Sequence, residues 1–182
     1  MRKWMGITMF VVLAAGLSSC EKIKSIFDVE FDTTLSGDLD ISIQESAMKS
    51  TAAYSFSTTT DVNPLDDPDI EEYIDNIKDF DIKEVVAEVV YVNKGSVTFG
   101  EGTVITIYDD IDEATWPVPG NWEITEGTTL SLEDVSNVYK KVATILNRKK
   151  SFTISASGTC SDTGVEIVIR VAIDTKVIAN PL

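Results

Sequence analysis

No histidine occurs anywhere in this chain of 182 residues. Histidine is the side chain whose ordinary pKa lies nearest neutrality, and it is the commonest metal ligand. Its absence excludes Ser-His-Asp and Cys-His catalysis in their usual forms, and histidine-ligated zinc with them. Cysteine is nearly absent too. Cys20 and Cys160 are the only two, which allows one disulfide at most. Basic residues are scarce: 15 Lys and Arg stand against 30 Asp and Glu, a net charge of −15. A surface of that sign repels nucleic acid and anionic head groups and favours solubility. No apolar run reaches the roughly 20 residues that cross a bilayer as a helix. A Gly-rich phosphate loop, a dinucleotide fingerprint and paired-cysteine zinc spacing are also missing.

What is present begins at the N-terminus. Arg2 and Lys3 precede an apolar run from Ile7 to Ala15, broken only by Thr8. A charged start followed by about 7–15 apolar residues is the secretory signal pattern. The run closes on Leu17-Ser18-Ser19-Cys20. That tetrad resembles the lipobox of bacterial lipoproteins. The resemblance implies removal of residues 1–19, diacylglycerol on the Cys20 sulfur and acylation of its amine. Several chains are needed because one acyl chain holds a membrane only marginally. The competing reading is an ordinary export signal with a chance cysteine. In the same family, Asp beside the cysteine marks inner-membrane retention. Glu21 stands there instead, which points to the outer membrane, facing the periplasm or the cell surface. The first 19 residues hold two bases and no acids, so removing them leaves a net charge of −17. With Cys20 acylated, Cys160 has no partner for a disulfide; in a strand it reads as a small buried residue rather than a reactive thiol.

Residues 21–26 read as the rest of a short tether that begins at Cys20, and residues 27–182 as one β-rich domain. Phe27, Val29 and Phe31 alternate with acids, as do Leu39, Ile41 and Ile43 with polar residues. Period-2 alternation predicts half-buried strands. Ser36-Gly37-Asp38 reads as a turn or bulge. Ala52 to Thr58 gives a third strand. Asp67 and Pro68 then open a helix predicted to run to Asp79, with Ile70, Tyr73, Ile74 and Ile77 as its stripe. Ile82–Val92 and Val97–Tyr108 read as a hairpin around Asn93-Lys94-Gly95. The stretch from Asp109 to Asn121 reads as loop. Trp122–Ile124 and Thr128–Leu130 look like short edge strands. A second helix is predicted from Ser131, with Asp134 three residues on as a variant capping box. Two strands around Ser161-Asp162-Thr163-Gly164 close the chain. The expected fold is mainly β: an antiparallel sandwich or half-barrel of about eight strands with two amphipathic helices packed on it. In this pattern the chain resembles a broad group of small Bacteroidota-type envelope lipoproteins. That resemblance implies no particular activity. A looser likeness is to lipid-carrying folds made of a curled sheet and a helix.

Three segments could carry chemistry. The stretch Asp61 to Asp69 offers Asp61, Asn63, Asp66, Asp67 and Asp69 as oxygen ligands for calcium. The EF-hand spacing fails there, because Leu65 occupies a ligand position, and helix capping explains the same acids. Tyr108 to Glu113 is a second acidic loop, without residues that would build a catalytic cleft around it. Trp116-Pro117-Val118-Pro119-Gly120-Asn121-Trp122 sets two tryptophans about a stiff turn. Trp116 and Trp122 could stack on a sugar or a partner, or cover the end of the core. The expectation is therefore a non-enzymatic, lipid-anchored binding or structural module without a cofactor beyond its covalent lipid. Its partners would be the membrane, through the anchor, and a protein or glycan. A carrier of an apolar ligand between sheet and helices, and a carbohydrate-binding module using Trp116 and Trp122, are the alternatives.

Overall fold

Fifteen residues of unbroken alternation, Val29–Ile43, form the first strand, β1, of the computed structural model, which describes residues 28–44 and 53–180. The other strands are β2 (Tyr54–Val62), β3 (Ile77–Val92), β4 (Val97–Phe99), β5 (Val104–Tyr108), β6 (Glu113–Pro117), β7 (Trp122–Ile124), β8 (Thr129–Ser131), β9 (Phe152–Cys160) and β10 (Val165–Ala179). Two α-helices join them, α1 (Pro68–Tyr73) and α2 (Val138–Leu146). The fold is mainly β with two helices, and every strand pairing is antiparallel.

One sheet runs β1-β10-β3-β8. The other centres on β9, which pairs with β2 along one side and with β5 and then β4 along the other. β6 extends the second sheet beyond β5, and β7 extends it beyond β4. The core lies between the two sheets. Leu39, Val85, Val89, Val171 and Ile173 fill it from the first, and Ile105, Ile107, Phe152 and Ile154 from the second. Each such side chain contributes about 1.5–3 kcal/mol when fully buried. Along one side the sheets meet at β1 and β2, where Gly37 leaves room for Thr60 and Val62. On the other side α2 buries Val142, Ile145 and Leu146 and shields the edge of β3, which a sheet must not leave bare.

Several expectations change. Gly37 makes neither turn nor bulge but sits inside β1. The bulges are in β3, where Lys78, Lys83 and Val90 are each an extra residue against β10. The first helix ends at Tyr73, a 3-10 turn covers Ile74–Asn76, and Ile77 already begins β3. The stripe residue Ile77 therefore faces the core from a strand. Val97–Tyr108 splits at Gly102, whose φ is +85°, and neither half pairs with β3. Instead the Asn93–Gly95 turn carries the chain across to the second sheet. β9 and β10 also lie in different sheets, so the closing pair is not a hairpin. β6 occupies part of the predicted loop. The second helix starts at Val138, because Leu132 is buried with its N–H on the Val85 carbonyl at 2.8 Å and Ser131 belongs to β8.

Candidate functional site

Cys20, the predicted lipidation site, lies outside the described residues, as does Phe27. The acid-rich stretch from Asp61 to Asp69 is described in full, and four of its five candidate ligands are engaged locally. Asp61 accepts from the Thr153 hydroxyl at 2.7 Å. Asn63 caps the 3-10 turn Pro64–Asp66 by accepting from Leu65 N–H at 3.2 Å, and its amide donates to Asp66 at 3.1 Å. Asp67 caps α1 by accepting from Asp69 and Ile70 N–H at 2.9 and 3.1 Å, and also accepts from the Thr33 hydroxyl. These bonds satisfy N–H groups that a helix start leaves without partners. Among the described residues no three acidic or cysteine side chains converge as a metal-ion cage.

The acidic loop after β5 is held by a clasp that sequence reasoning missed. Asp109 accepts from Ile111 and Asp112 N–H at 2.9 and 2.8 Å. Arg148, just past α2, reaches back to both Asp109 and Asp112. Burial alone pushes the Asp109 carboxyl up. The two N–H donors and the Arg148 guanidinium outweigh that and hold it below the usual carboxylate range. The one sequence signal was the base at the end of the second helix, which reads equally well as a dipole partner.

The two tryptophans separate. Trp116 is 3 % exposed on β6, and its indole N–H donates to the Glu133 carbonyl at 3.0 Å. Its ring is thus core and offers no stacking face, which corrects the pairing with Trp122. Trp122 is half-buried on β7, edge-on to Phe99 with ring centroids 6.1 Å apart. Phe99 in turn packs on Phe56 at 5.0 Å. Burial pushes the Cys160 thiol up, and the residue is fully buried at the end of β9.

A concave surface of mixed lining lies elsewhere, between α2 and the first half of β3. It is a groove of about 560 Å³ whose lining includes Asp79, Phe80, Ile82, Tyr139, Lys140 and Ala143. Two contacts set its width. The Tyr139 hydroxyl accepts from Val85 N–H at 3.3 Å, and Asn147 donates to Asp79 at 2.8 Å. Burial raises the Tyr139 pKa, and the Glu84, Asp134 and Glu133 carboxylates add to it against that hydrogen bond, so this phenol stays neutral and acts as an acceptor. The groove has acids on its rim and carbon on its floor. That lining suits recognition of a basic, partly apolar segment.

No protein-family model matches the chain, and no curated protein matches it. Similar backbones are found among solved structures. The decameric BFDV capsid protein superposes with a TM-score of 0.44 at 13% identity, covering 82% of this chain and 99% of that one. The 60-mer of the BFDV capsid protein gives 0.41 at 12% identity, covering 85% and 96%.

Proposed function

We propose that this chain is a lipid-anchored, non-enzymatic binding or structural module of the bacterial cell envelope, seated on the outer membrane. The observation that carries the proposal is the apolar run Ile7–Ala15 ending in Leu17-Ser18-Ser19-Cys20. The fold supports it by position. β1 begins at Val29, so an acylated Cys20 would lead into the sandwich through eight residues, Glu21–Asp28. That length reaches about 25–30 Å when extended. Asp28, α1, the Asp109–Asp112 loop and the end of α2 all lie at the end of the molecule where β1 begins, as contacts Asp28–Lys78, Lys149–Ile74, Arg148–Asp109 and Asn180–Asn76 establish. The opposite end, with Trp122, would then point away from the bilayer. The non-enzymatic part of the reading rests on the histidine-free sequence.

The test is metabolic labelling of the full-length protein in a Gram-negative host with alkyne-tagged palmitate. The protein is expected to take the label and to fractionate with outer membranes. Cys20→Ser is expected to lose both. An unlabelled wild-type protein in the soluble fraction, or a Cys20→Ser variant that keeps its label, would overturn the reading.

A further inference from the structure

The groove between α2 and β3 has a lining that the interior of the domain does not use. Ala143 and Ile178 are half-buried along it, and Asp79, Asp81 and Asp134 stand on its rim; Lys140 is the base of the lining, and Lys83 pairs with Asp81 from beside it. One end of it meets the start of the described chain. Asp28 forms an ion pair with Lys78 at 2.6 Å, although β10 lies between their strands. Lys78 immediately precedes Asp79, so the first described residue, beside β1, makes side-chain contact across β10 with the strand that forms one wall of the groove. The residues before Asp28 read Lys22-Ile23-Lys24-Ser25-Ile26-Phe27. In a chain with twice as many acids as bases, this stretch carries two lysines, no acid and three large apolar side chains.

We propose that Lys24–Phe27 bind this groove as an extended segment, with Ile26 and Phe27 over its apolar floor and Lys24 toward the acids of its rim. Sequence order, length and charge all fit. The stretch of α2 and its cap that lines the groove, Tyr139 to Asn147, rises about 12 Å at 1.5 Å per residue. Four extended residues at about 3.3 Å each cover that distance. The segment is covalently joined to the domain, so its effective concentration is of millimolar order and weak contacts suffice. Exposed ion pairs contribute little individually. The apolar pair therefore supplies most of the hold, and the acids set direction. If Cys20 is acylated as proposed above, docking leaves only a few free residues before the lipid and fixes how the sandwich stands on the membrane. That consequence rests on the proposed anchor; the docking does not.

Cysteine crosslinking in the purified full-length protein decides it, with Cys20→Ser in every variant so that the outcome is independent of acylation. Ser25→Cys is paired with Thr144→Cys on the groove, and as a control with Asp32→Cys on the exposed face of β1, which lies about 13 Å along the strand from Asp28 and so within reach of the segment. The groove pair is expected to oxidise at least tenfold faster than the control pair. Asp79→Lys with Asp81→Lys should bring it down toward the control rate. Ile26→Ser with Phe27→Ser should do the same with every groove residue unchanged. Equal rates for the two pairs, or a groove rate unmoved by the Ile26 and Phe27 substitutions, would overturn the proposal.

Discussion

At the scale of single residues, the glycines and one carboxylate decide most. A Cβ built on Gly37 would lie 2.7 Å from Thr60 Cγ2 and 2.9 Å from Val62 Cγ2, closer than real carbons approach. Both neighbours are β-branched and held in the sheet, so neither turns away easily. Gly37→Ala is expected to destabilise by about 1–3 kcal/mol, the usual cost of overpacking. Gly95 has open space around it and no positive φ. There alanine should be neutral or gain up to about 1 kcal/mol by restricting the unfolded chain. Urea unfolding of the two variants checks both signs at once. Asp109 gives a pH-dependent prediction. Its folded pKa lies below the ordinary value near 3.9. Its contribution is therefore complete above that value and lost as pH falls through the folded pKa. Asp109→Asn should be less stable than wild type at pH 7, and the gap should close in strong acid. A gap that stays constant from pH 7 to pH 2 would refute this. The sequence made Asp67 legible as a cap, because Asp-Pro before an apolar stripe has few other readings. It did not make Gly37 legible. A glycine within an alternating strand signals a bulge as readily as a close approach.

At the scale of elements, strands were more legible than helices. Alternation depends on one buried face, and each sheet provides one. Where β3 breaks its alternation, at Lys78-Asp79 and Lys83-Glu84, the bulges absorb the extra residue and return the next apolar side chain to the core. The helix starting at Ser131 failed because tertiary contacts won over local pattern. Leu132 is pinned to Val85, and the Glu133 carbonyl receives the Trp116 indole. The chain then reaches α2 through two successive left-handed residues, Ser136 at φ 61° and Asn137 at φ 61°. The left-handed region costs an ordinary residue roughly 1–2 kcal/mol, and asparagine tolerates it better than serine. Ser136→Gly should accordingly raise stability by about 0.5–1 kcal/mol, after glycine's own entropy loss. The midpoint of urea unfolding reads it, and a lowered midpoint would count against this account. Val135 remains 62% exposed in the same turn. Sheet membership was hidden for a different reason. Asn93-Lys94-Gly95 and Ser161–Gly164 have turn chemistry that serves a hairpin and a crossing between sheets equally well.

At the scale of the whole molecule, charge works against compactness. The outer face of β1 carries Glu30, Asp32, Asp38 and Asp40 in one row. Neighbours two residues apart along a strand are about 7 Å from each other, well within the Debye length of about 30 Å at 0.01 M salt and near that of about 10 Å at 0.1 M. Some of this is offset across the sheet. Arg170 holds Asp38 through two bonds of 2.8 and 3.0 Å, and Lys176 meets Glu30 at 3.0 Å. Exposed pairs of this kind contribute at most about 1 kcal/mol each, and salt screens them too. Two opposed effects follow from added salt: the pairs weaken, and the repulsion among unpaired acids weakens more, because acids outnumber bases two to one. Stability in urea, a denaturant without charge, should therefore rise between 10 mM and 150 mM sodium chloride. It should rise most for Arg170→Ala, which leaves Asp38 unpaired beside Asp40 on the same row. A stability that falls with salt in the wild-type protein would mean that the cross-strand pairs, rather than the net charge, dominate the surface electrostatics of this sandwich.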